Sequence, residues 1–129
     1  MPRHLLRAVD LARENPYYAK WKHAGILVKG GSVLSVGFSR LLSDPSQTEM
    51  ETFYPRPNVS RHAEVDALRD CQRAAGSILY IARVGRNGLT GTSRPCPDCQ
   101  KEISAAGVKR VIYTISPIEY GVWYPQRKL

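Results

Sequence analysis

Three stretches of the chain carry apolar residues at the three- to four-residue spacing of a helix that buries one face. The first lies near the start of the chain and ends at Pro16, because proline cannot continue a helix. Its apolar members are Leu5, Leu6, Val9, Leu11 and Ala12. The second runs from about Ser60, a residue type favoured at the N-cap, to Ala75, directly before Gly76. The third spans about 97–106 and has proline in its first turn.

Shorter runs rich in β-branched and aliphatic residues predict strands. They lie at 23–29, 32–38, 77–83, 108–114 and 121–124. The first two flank Gly30-Gly31, which suits a two-residue hairpin turn because both central positions of such a turn need positive φ. A parallel crossover needs a dozen or more residues. Only residues 115–120 separate the last two runs, so we expect the final strand pair to be antiparallel.

The order αββαβαββ predicts an α/β fold with one mixed sheet of about five strands and helices packed on it. A length of 129 residues suits one domain that spans residues 1–129. No apolar run approaches the ~20 residues needed to cross a bilayer, and the N-terminus lacks the apolar region of a signal peptide. We therefore expect a cytoplasmic protein with no membrane partner.

A net charge of +8 favours anionic partners such as nucleotides or nucleic acid, although the basic residues are scattered along the chain. Three cysteines are an odd number, which argues against a disulfide framework. Cys71 lies on an apolar helical stripe and is expected to be buried. Cys96 and Cys99 form a C-x-x-C, which in a reducing compartment indicates metal binding or redox activity.

A candidate metal centre is formed by His62 with Cys96 and Cys99. A catalytic zinc takes three protein ligands and keeps one open position for water, and imidazole and thiolate suit it. All three residues stand at predicted helix starts, where the positive end of the helix helps to keep a thiol ionised. Zinc lowers the pKa of bound water to about 7. Glu64 could accept the proton of that water and deliver it to a ring nitrogen and a departing amine.

Other interpretations of these motifs account for fewer of the residues. A thioredoxin-like C-x-x-C would leave His62 and Glu64 without a role. A structural zinc would need a fourth protein ligand, and the other His and Cys residues, which are His4, His23 and Cys71, do not have useful spacing. A metal-stabilised binding module without catalysis is hard to reconcile with Glu64.

With its segments His62-Ala63-Glu64 and Pro95-Cys96-Pro97-Asp98-Cys99, the chain resembles the cytidine/deoxycytidylate deaminase superfamily over nearly its whole length. The form of 95–113 looks most like the deoxycytidylate deaminases. The resemblance implies a three-layer fold with helices on both faces of the sheet. It also implies Zn2+ held by His62, Cys96 and Cys99, proton transfer by Glu64, and, in many relatives, a homo-oligomer.

The same resemblance implies substrate contacts. The backbone amide of Ala63 would donate to the base carbonyl, and the carbonyl of Arg94 or Pro95 would face the leaving amine. Many relatives end the second strand with Gly-x-Asn, whose Asn contacts the sugar or base. This chain has Gly37-Phe38-Ser39 there, so that role would fall to Ser39 or Asn58, or be absent. Relatives that act on deoxycytidylate, tRNA adenosine or single-stranded DNA generally have a helix between strands four and five. The short last connection of this chain is more similar to that of the hairpin-ended branch, which includes free cytidine deaminases, blasticidin deaminases and polynucleotide-acting toxin domains.

The first functional hypothesis is a small-molecule enzyme that deaminates cytosine to uracil in a nucleoside or nucleotide. The proline-rich segment 39–60 would form a loop over the site. Three arginines in or beside it could hold a phosphate, although solvated loop charges are the simpler interpretation of each: Arg40, Arg56 and Arg61.

The second hypothesis is a deaminase that acts on a base of single-stranded DNA or tRNA. Such enzymes need basic residues and aromatic stacking platforms. Four aromatic residues could stack bases, although aromatics near strand ends more often pack in a core or subunit contact: Phe53, Tyr54, Trp123 and Tyr124.

Overall fold

The computed structural model of the protein describes residues 1–15, 21–41, 60–69, 71–85 and 87–125. The helices within these ranges are α1 (Arg3–Glu14), α2 (Ala63–Leu68) and α3 (Pro97–Ala105). The strands are β1 (Trp21–Lys29), β2 (Ser32–Phe38), β3 (Arg40–Leu41), β4 (Ser60–Arg61), β5 (Ile78–Gly85), β6 (Thr90–Gly91), β7 (Arg110–Thr114) and β8 (Tyr120–Trp123).

Within the described ranges the main sheet is mixed and has six strands, in the order β2-β1-β5-β7-β8, with β6 paired to the end of β5. Strands β5 and β7 are parallel, and the other pairs of this sheet are antiparallel. The predicted antiparallel pairing of the last two strands is confirmed, with Val111 opposite Trp123. Strands β3 and β4 pair with each other in a separate two-stranded ladder.

Helices cover both faces of the main sheet, which confirms the predicted three-layer α/β class. The two layers follow from the two-residue side-chain period of a strand, because successive residues point to opposite faces. One core packs α1 on the sheet and includes Leu5, Ala8, Ala24, Ile26, Val28, Tyr80, Ala82, Val84 and Ile112. The other packs α2 and α3 on the opposite face and includes Leu27, Ala67, Leu79, Ile81, Cys99, Ile103, Val111 and Tyr113.

Helix α2 is shorter than predicted. Ser60 lies in β4 and is not the N-cap, which is His62, and the helix ends at Leu68. Beyond it, Ala74 is buried and the Gly76 N–H donates to the Gly107 carbonyl at 2.8 Å. These contacts hold the segment in turns beside the end of α3, so tertiary packing overrides the helical spacing there.

Two further predictions need correction. Cys71 lies after α2 and is half-buried, although it still packs against the core of that face. The predicted strand 77–83 runs on to Gly85, because Val84 is buried against α1 and β6 pairs with Arg83 and Val84. Part of the predicted loop at 84–95 is therefore strand. Among the described helices, none is long and apolar enough to span a bilayer.

Candidate metal centre and active site

Helix α2 is held against β1 and β2 by close backbone approach. A Cβ atom on Gly37 would lie 2.2 Å from the Ala67 nitrogen. The Ser35 hydroxyl donates to the Ala67 carbonyl at 2.6 Å, and the Asp66 carboxylate accepts from the Phe38 N–H at 2.9 Å. These contacts fix where α2 begins, and therefore where its N-cap residue His62 stands.

The loop before α3 is anchored by a buried hydroxyl pair. The Ser93 hydroxyl donates to the Ile81 carbonyl at 2.8 Å and lies 2.9 Å from the Thr114 hydroxyl. Thr114 in turn donates to the Gly91 carbonyl at 2.8 Å. Because both residues are buried, their hydroxyls need these partners, and the pairing ties the loop to the ends of β5 and β7. The N-terminus of α3 follows directly, with Cys96 as its N-cap.

The structure brings the three predicted ligands together. The Nδ1 atom of His62 lies 3.1 Å from the Cys99 sulfur and 3.6 Å from the Cys96 sulfur, and the three ligand atoms all lie within 4.8 Å of one another. A tetrahedral zinc with ordinary bond lengths places its nitrogen and sulfur ligands about 3.5–3.8 Å apart. The distance from His62 to Cys96 falls in this range and the distance from His62 to Cys99 is slightly shorter, so a small adjustment of Cys99 lets the donor set hold zinc.

No fourth His, Cys, Asp or Glu joins this group among the residues that the structure describes. His4, His23 and Cys71, which a structural zinc site would have had to recruit, are all described and lie outside the group. Three protein donors with an open fourth position are typical of catalytic zinc.

Glu64 lies beside the three donors. Its Oε2 atom is 3.9 Å from the His62 Nδ1 atom, and the residue is only 4% exposed. Burial raises the pKa of Glu64 above that of an exposed carboxyl. A carboxyl whose pKa is raised by burial holds its proton more readily than an exposed one, which suits general acid–base work.

Cys99 is buried at the base of the group, and burial together with the adjacent Glu64 carboxylate raises the pKa of its thiol. A bound divalent cation would have the opposite effect and lower the pKa of this thiol, because a thiol that coordinates a metal is deprotonated. The chemistry of the cluster is therefore that of a site built to receive a positive charge.

The predicted substrate contacts are placed as follows. Ala63 is buried and begins α2, so its N–H is among the helix-start donors that lack an intrahelical partner. Arg94 is exposed, whereas Pro95 is buried and its carbonyl accepts from the Gln100 side chain at 2.9 Å. Ser39 is buried, and its hydroxyl accepts from the His23 N–H and from Asn15. The contacts of these residues with a substrate stay predictions.

Several other predicted residues lie outside the described ranges: Phe53, Tyr54, Arg56 and Asn58. The loop predicted to cover the site falls mostly outside them as well. The backbones of Arg40 and Arg61 pair across β3 and β4. Trp123 is half-buried against the core beside α3, and Tyr124 is 65% exposed.

Sequence reasoning missed the residues that hold the 92–96 loop. Ser93 and Thr114 act through hydrogen bonds to groups that are distant in sequence, and Gln100 binds the Pro95 carbonyl five residues earlier. It also missed the cross-strand pair of His23 and Arg83, which lies on the α2 face of the sheet next to the start of α2. The position of His23 directly before the buried strand run was the one signal available.

Fold and site together define a zinc-dependent deaminase scaffold. Residues 2–115 match the family model of the cytidine and deoxycytidylate deaminase zinc-binding region, and the chain belongs to this family. Because that family binds zinc and the three donors converge, zinc is the cofactor of this protein.

The solved structures and curated relatives that this chain resembles include cytidine and deoxycytidylate deaminases. The chain is 30% identical to the dCMP deaminase of cyanophage S-TIM5, solved with dCMP and dUMP, with a TM-score of 0.58 over 84% of this chain and 75% of that one. A Burkholderia pseudomallei cytidine deaminase shares the fold, with a TM-score of 0.66, 21% identity and coverage of 97% and 94%.

The chain is also 36% identical over 58 residues to the deoxycytidylate deaminase of Enterobacteria phage T2. That match covers 42% of this chain and 31% of the phage protein, so the chain spans about a third of the length of this curated relative.

Proposed function

We propose that this protein is a hydrolytic deaminase that converts the cytosine of a cytidine or deoxycytidine nucleotide, with deoxycytidylate as the foremost candidate, to uracil. One observation carries the proposal: His62, Cys96 and Cys99 converge with Glu64 buried beside them. The cyanophage relative bound to dCMP and dUMP supports a monophosphate substrate, since these two nucleotides differ as substrate and product of such a reaction.

In the proposed reaction the C4–N bond of cytosine breaks, a C4–O bond forms, and ammonia leaves. His62, Cys96 and Cys99 would hold the zinc, and the chemistry that a bound zinc would supply is a water nucleophile at neutral pH. Glu64 would carry one proton of the attacking water to N3 of the ring, which keeps it, and the second proton from the new C4 hydroxyl to the departing amine, which leaves as ammonia. Its buried carboxyl suits both directions of transfer, because burial favours the protonated form while His62 nearby favours the charged one.

The base is oriented by backbone groups. The N–H of Ala63, at the positive end of α2, would donate to the carbonyl oxygen of the base. A carbonyl of the Arg94–Pro95 segment would accept a hydrogen bond from the amine as it leaves. Such groups exert most of their effect in the transition state, because that is where charge and hydrogen-bonding demand change.

Activity assays on a substrate panel test the proposal. The zinc-loaded protein is incubated with cytidine, deoxycytidine, their monophosphates, blasticidin S, single-stranded DNA and tRNA, and products are identified by mass spectrometry. We expect conversion of monophosphates. Product from polymers alone would overturn the assignment.

Glu64→Gln is the matched variant, since it keeps the shape of the side chain but not its proton chemistry. We expect kcat to fall by at least about 100-fold with zinc retained, because general acid–base catalysis contributes about 10²–10⁴-fold. Zinc content is measured by elemental analysis alongside the rate. An active, zinc-loaded Glu64→Gln protein would exclude the proposed proton transfer.

A second candidate function, deamination of a base within single-stranded nucleic acid, is favoured by a groove between α3 and β8. The groove has a volume of about 1040 Å³ and begins at Pro97, next to Cys96. Lys101 and Lys109 line it together with the indole of Trp123. Cations and an aromatic face are the groups with which proteins follow a single strand. Conversion of DNA or tRNA in the same panel decides between the two candidates.

Two further expectations remain part of this proposal. We infer a cytoplasmic location and a homo-oligomer, the latter from the family resemblance. Light scattering of the purified protein measures the oligomeric state directly.

A further inference from the structure

The chain that leads into α3 is held by side chains that bind its carbonyl oxygens. The Arg83 guanidinium donates from Nη1 to the Thr92 carbonyl at 3.2 Å, and the Gln100 amide donates from Nε2 to the Pro95 carbonyl at 2.9 Å. Between these two points, Ser93 is fixed by its N–H, which donates to the Thr114 carbonyl at 2.8 Å. The segment from Thr92 to Pro95 is therefore pinned on both sides of Arg94.

Gln100 contacts two successive carbonyls of this segment. Its backbone N–H donates to the Cys96 carbonyl at 2.9 Å, as the first turn of α3 requires, and its side chain donates to the Pro95 carbonyl one residue earlier. Gln100 is half-buried and Pro95 is buried. A hydrogen bond in such surroundings is costly to leave unmade, so the bond constrains the orientation of the Pro95–Cys96 peptide.

The Pro95–Cys96 peptide is planar, so fixing its carbonyl also fixes the direction in which the chain enters Cys96. On one side of this peptide lies Cys96, whose sulfur is 3.6 Å from the His62 Nδ1 atom. On the other side lies the Arg94 carbonyl. Because the ring of Pro95 fixes its φ, only the ψ angle of Pro95 sets how the Arg94 carbonyl is oriented relative to the Pro95–Cys96 peptide.

We propose that Gln100 is a positioning residue of the active site. It holds the Pro95 carbonyl towards α3, so that the Arg94 carbonyl is the one that accepts from the departing amine, and it aims the Cys96 sulfur at the metal. The catalytic part of this inference rests on the proposed deaminase function, whereas the part that concerns the metal does not.

The test compares Gln100→Met, which keeps the length of the side chain and removes the donor, with Ser104→Ala as a matched control. Ser104 lies one turn further along α3 and lines the same groove. We expect Gln100→Met to lower kcat on deoxycytidylate by about 10- to 100-fold, the range typical for groups that orient metal ligands. KM should change little, because the leaving amine needs its acceptor most in the transition state.

A second readout does not depend on turnover. The cobalt-substituted protein reports the geometry of its thiolate ligands in its visible absorption spectrum, and competition with a zinc chelator reports zinc affinity. We expect Gln100→Met to alter the spectrum and to weaken zinc binding by about 10-fold or more. Ser104→Ala should match the unmodified protein in both measurements.

The outcomes are separable. Unchanged kcat, spectrum and affinity in a folded Gln100→Met protein would overturn the inference. An unmodified protein that binds cobalt but deaminates nothing would refute the proposed function and leave the spectral test of Gln100 intact. If Gln100→Met does not fold, Gln100→Glu replaces it, because this variant keeps length and polarity, lacks the donor at neutral pH and should show the same losses.

Discussion

Glu64 and His23 show how burial sets the charge of single residues next to the candidate metal centre. The pKa of Glu64 is raised because its carboxyl is buried, and the His62 imidazole partly offsets this. The pKa of His23 is lowered to about 4 because the ring is buried and because the positive charges of Arg83 and His62 oppose its protonation. Both residues are therefore shifted towards their neutral forms.

The shift at His23 predicts acid sensitivity of the fold. Its ordinary pKa is 6.5, so the unfolded chain binds a proton between pH 6.5 and about 4 that the folded protein does not bind. The stabilisation is complete above about pH 6.5 and is lost as the pH falls towards about 4. We expect unfolding to cost about 2 kcal/mol less at about pH 5 than at about pH 7.5 from this residue.

Urea denaturation at several pH values measures this dependence. The experiment is done on metal-free protein, so that the release of zinc when its ligands are protonated does not contribute. His23→Gln is the control, because it removes the titrating ring, and its stability should depend less steeply on pH in this window. Equal slopes for the two proteins would contradict the prediction.

At the scale of elements, two paired glycines in neighbouring strands differ in how closely they approach α2. A Cβ atom at Gly37 would lie 2.2 Å from the backbone nitrogen of Ala67 and 2.4 Å from the Ala63 carbonyl. A Cβ atom at Gly25 would meet the Cδ1 atom of Ile81 at 2.8 Å. Backbone atoms of a packed helix cannot yield, whereas the end of an isoleucine side chain can rotate.

We therefore expect Gly37→Ala to destabilise the protein by about 3 kcal/mol or more, and Gly25→Ala by about 1 kcal/mol, from the cost of overpacking. The same displacement of α2 should move His62 and weaken zinc binding in Gly37→Ala only. Denaturant titration and a zinc competition assay measure the two effects. Similar losses in both variants would show that α2 is not seated by Gly37.

The elements that sequence predicts well are those whose pattern reflects a single nearby surface. The 3–14 and 97–105 helices each bury one face against one sheet surface, and the hairpin of β1 and β2 is set by its Gly-Gly turn. The predicted end of α2 was wrong because the chain after Leu68 forms turns. These are held by the hydrogen bond from the Gly76 N–H to the carbonyl of the distant Gly107, which no local spacing reveals. The extension of β5 to Gly85 was not predicted for the same reason, since it depends on the burial of Val84 against α1.

The convergence of the metal donors was predictable because each donor stands at a helix start, and both helices lie on one face of the sheet. The residues that support them were not predictable. Gln100 and Ser93 act on backbone carbonyls, and the need for such partners depends on burial, which appears only once the chain is folded.

At the scale of the whole molecule, the metal centre joins two segments that are far apart in sequence. His62 comes from the start of α2 and the two cysteines from the start of α3, so a bound ion links two helices that otherwise meet through apolar packing. Any ion that binds only the folded state stabilises it by mass action.

Removal of zinc should therefore lower stability as well as abolish the proposed activity. With zinc at about 1,000 times its dissociation constant, we expect the holo protein to be more stable than the chelator-treated protein by about 4 kcal/mol. Calorimetry with and without chelator measures the difference. Cys96→Ser is the control, since loss of a thiolate should make its Tm nearly insensitive to chelator. A chelator-sensitive Cys96→Ser protein would contradict this ligand assignment.

Strand β5 serves both layers of the molecule at once, with Tyr80, Ala82 and Val84 turned to α1 and Leu79 and Ile81 turned to the metal side. Insertion or deletion of one residue within this strand would exchange the two rows beyond that point, so that the side chains of each row would face the layer for which the other row is shaped. The same change in the turn at 87–89 would only alter the length of a connection. Length variation among natural variants of this chain should thus avoid β5 and collect in that turn.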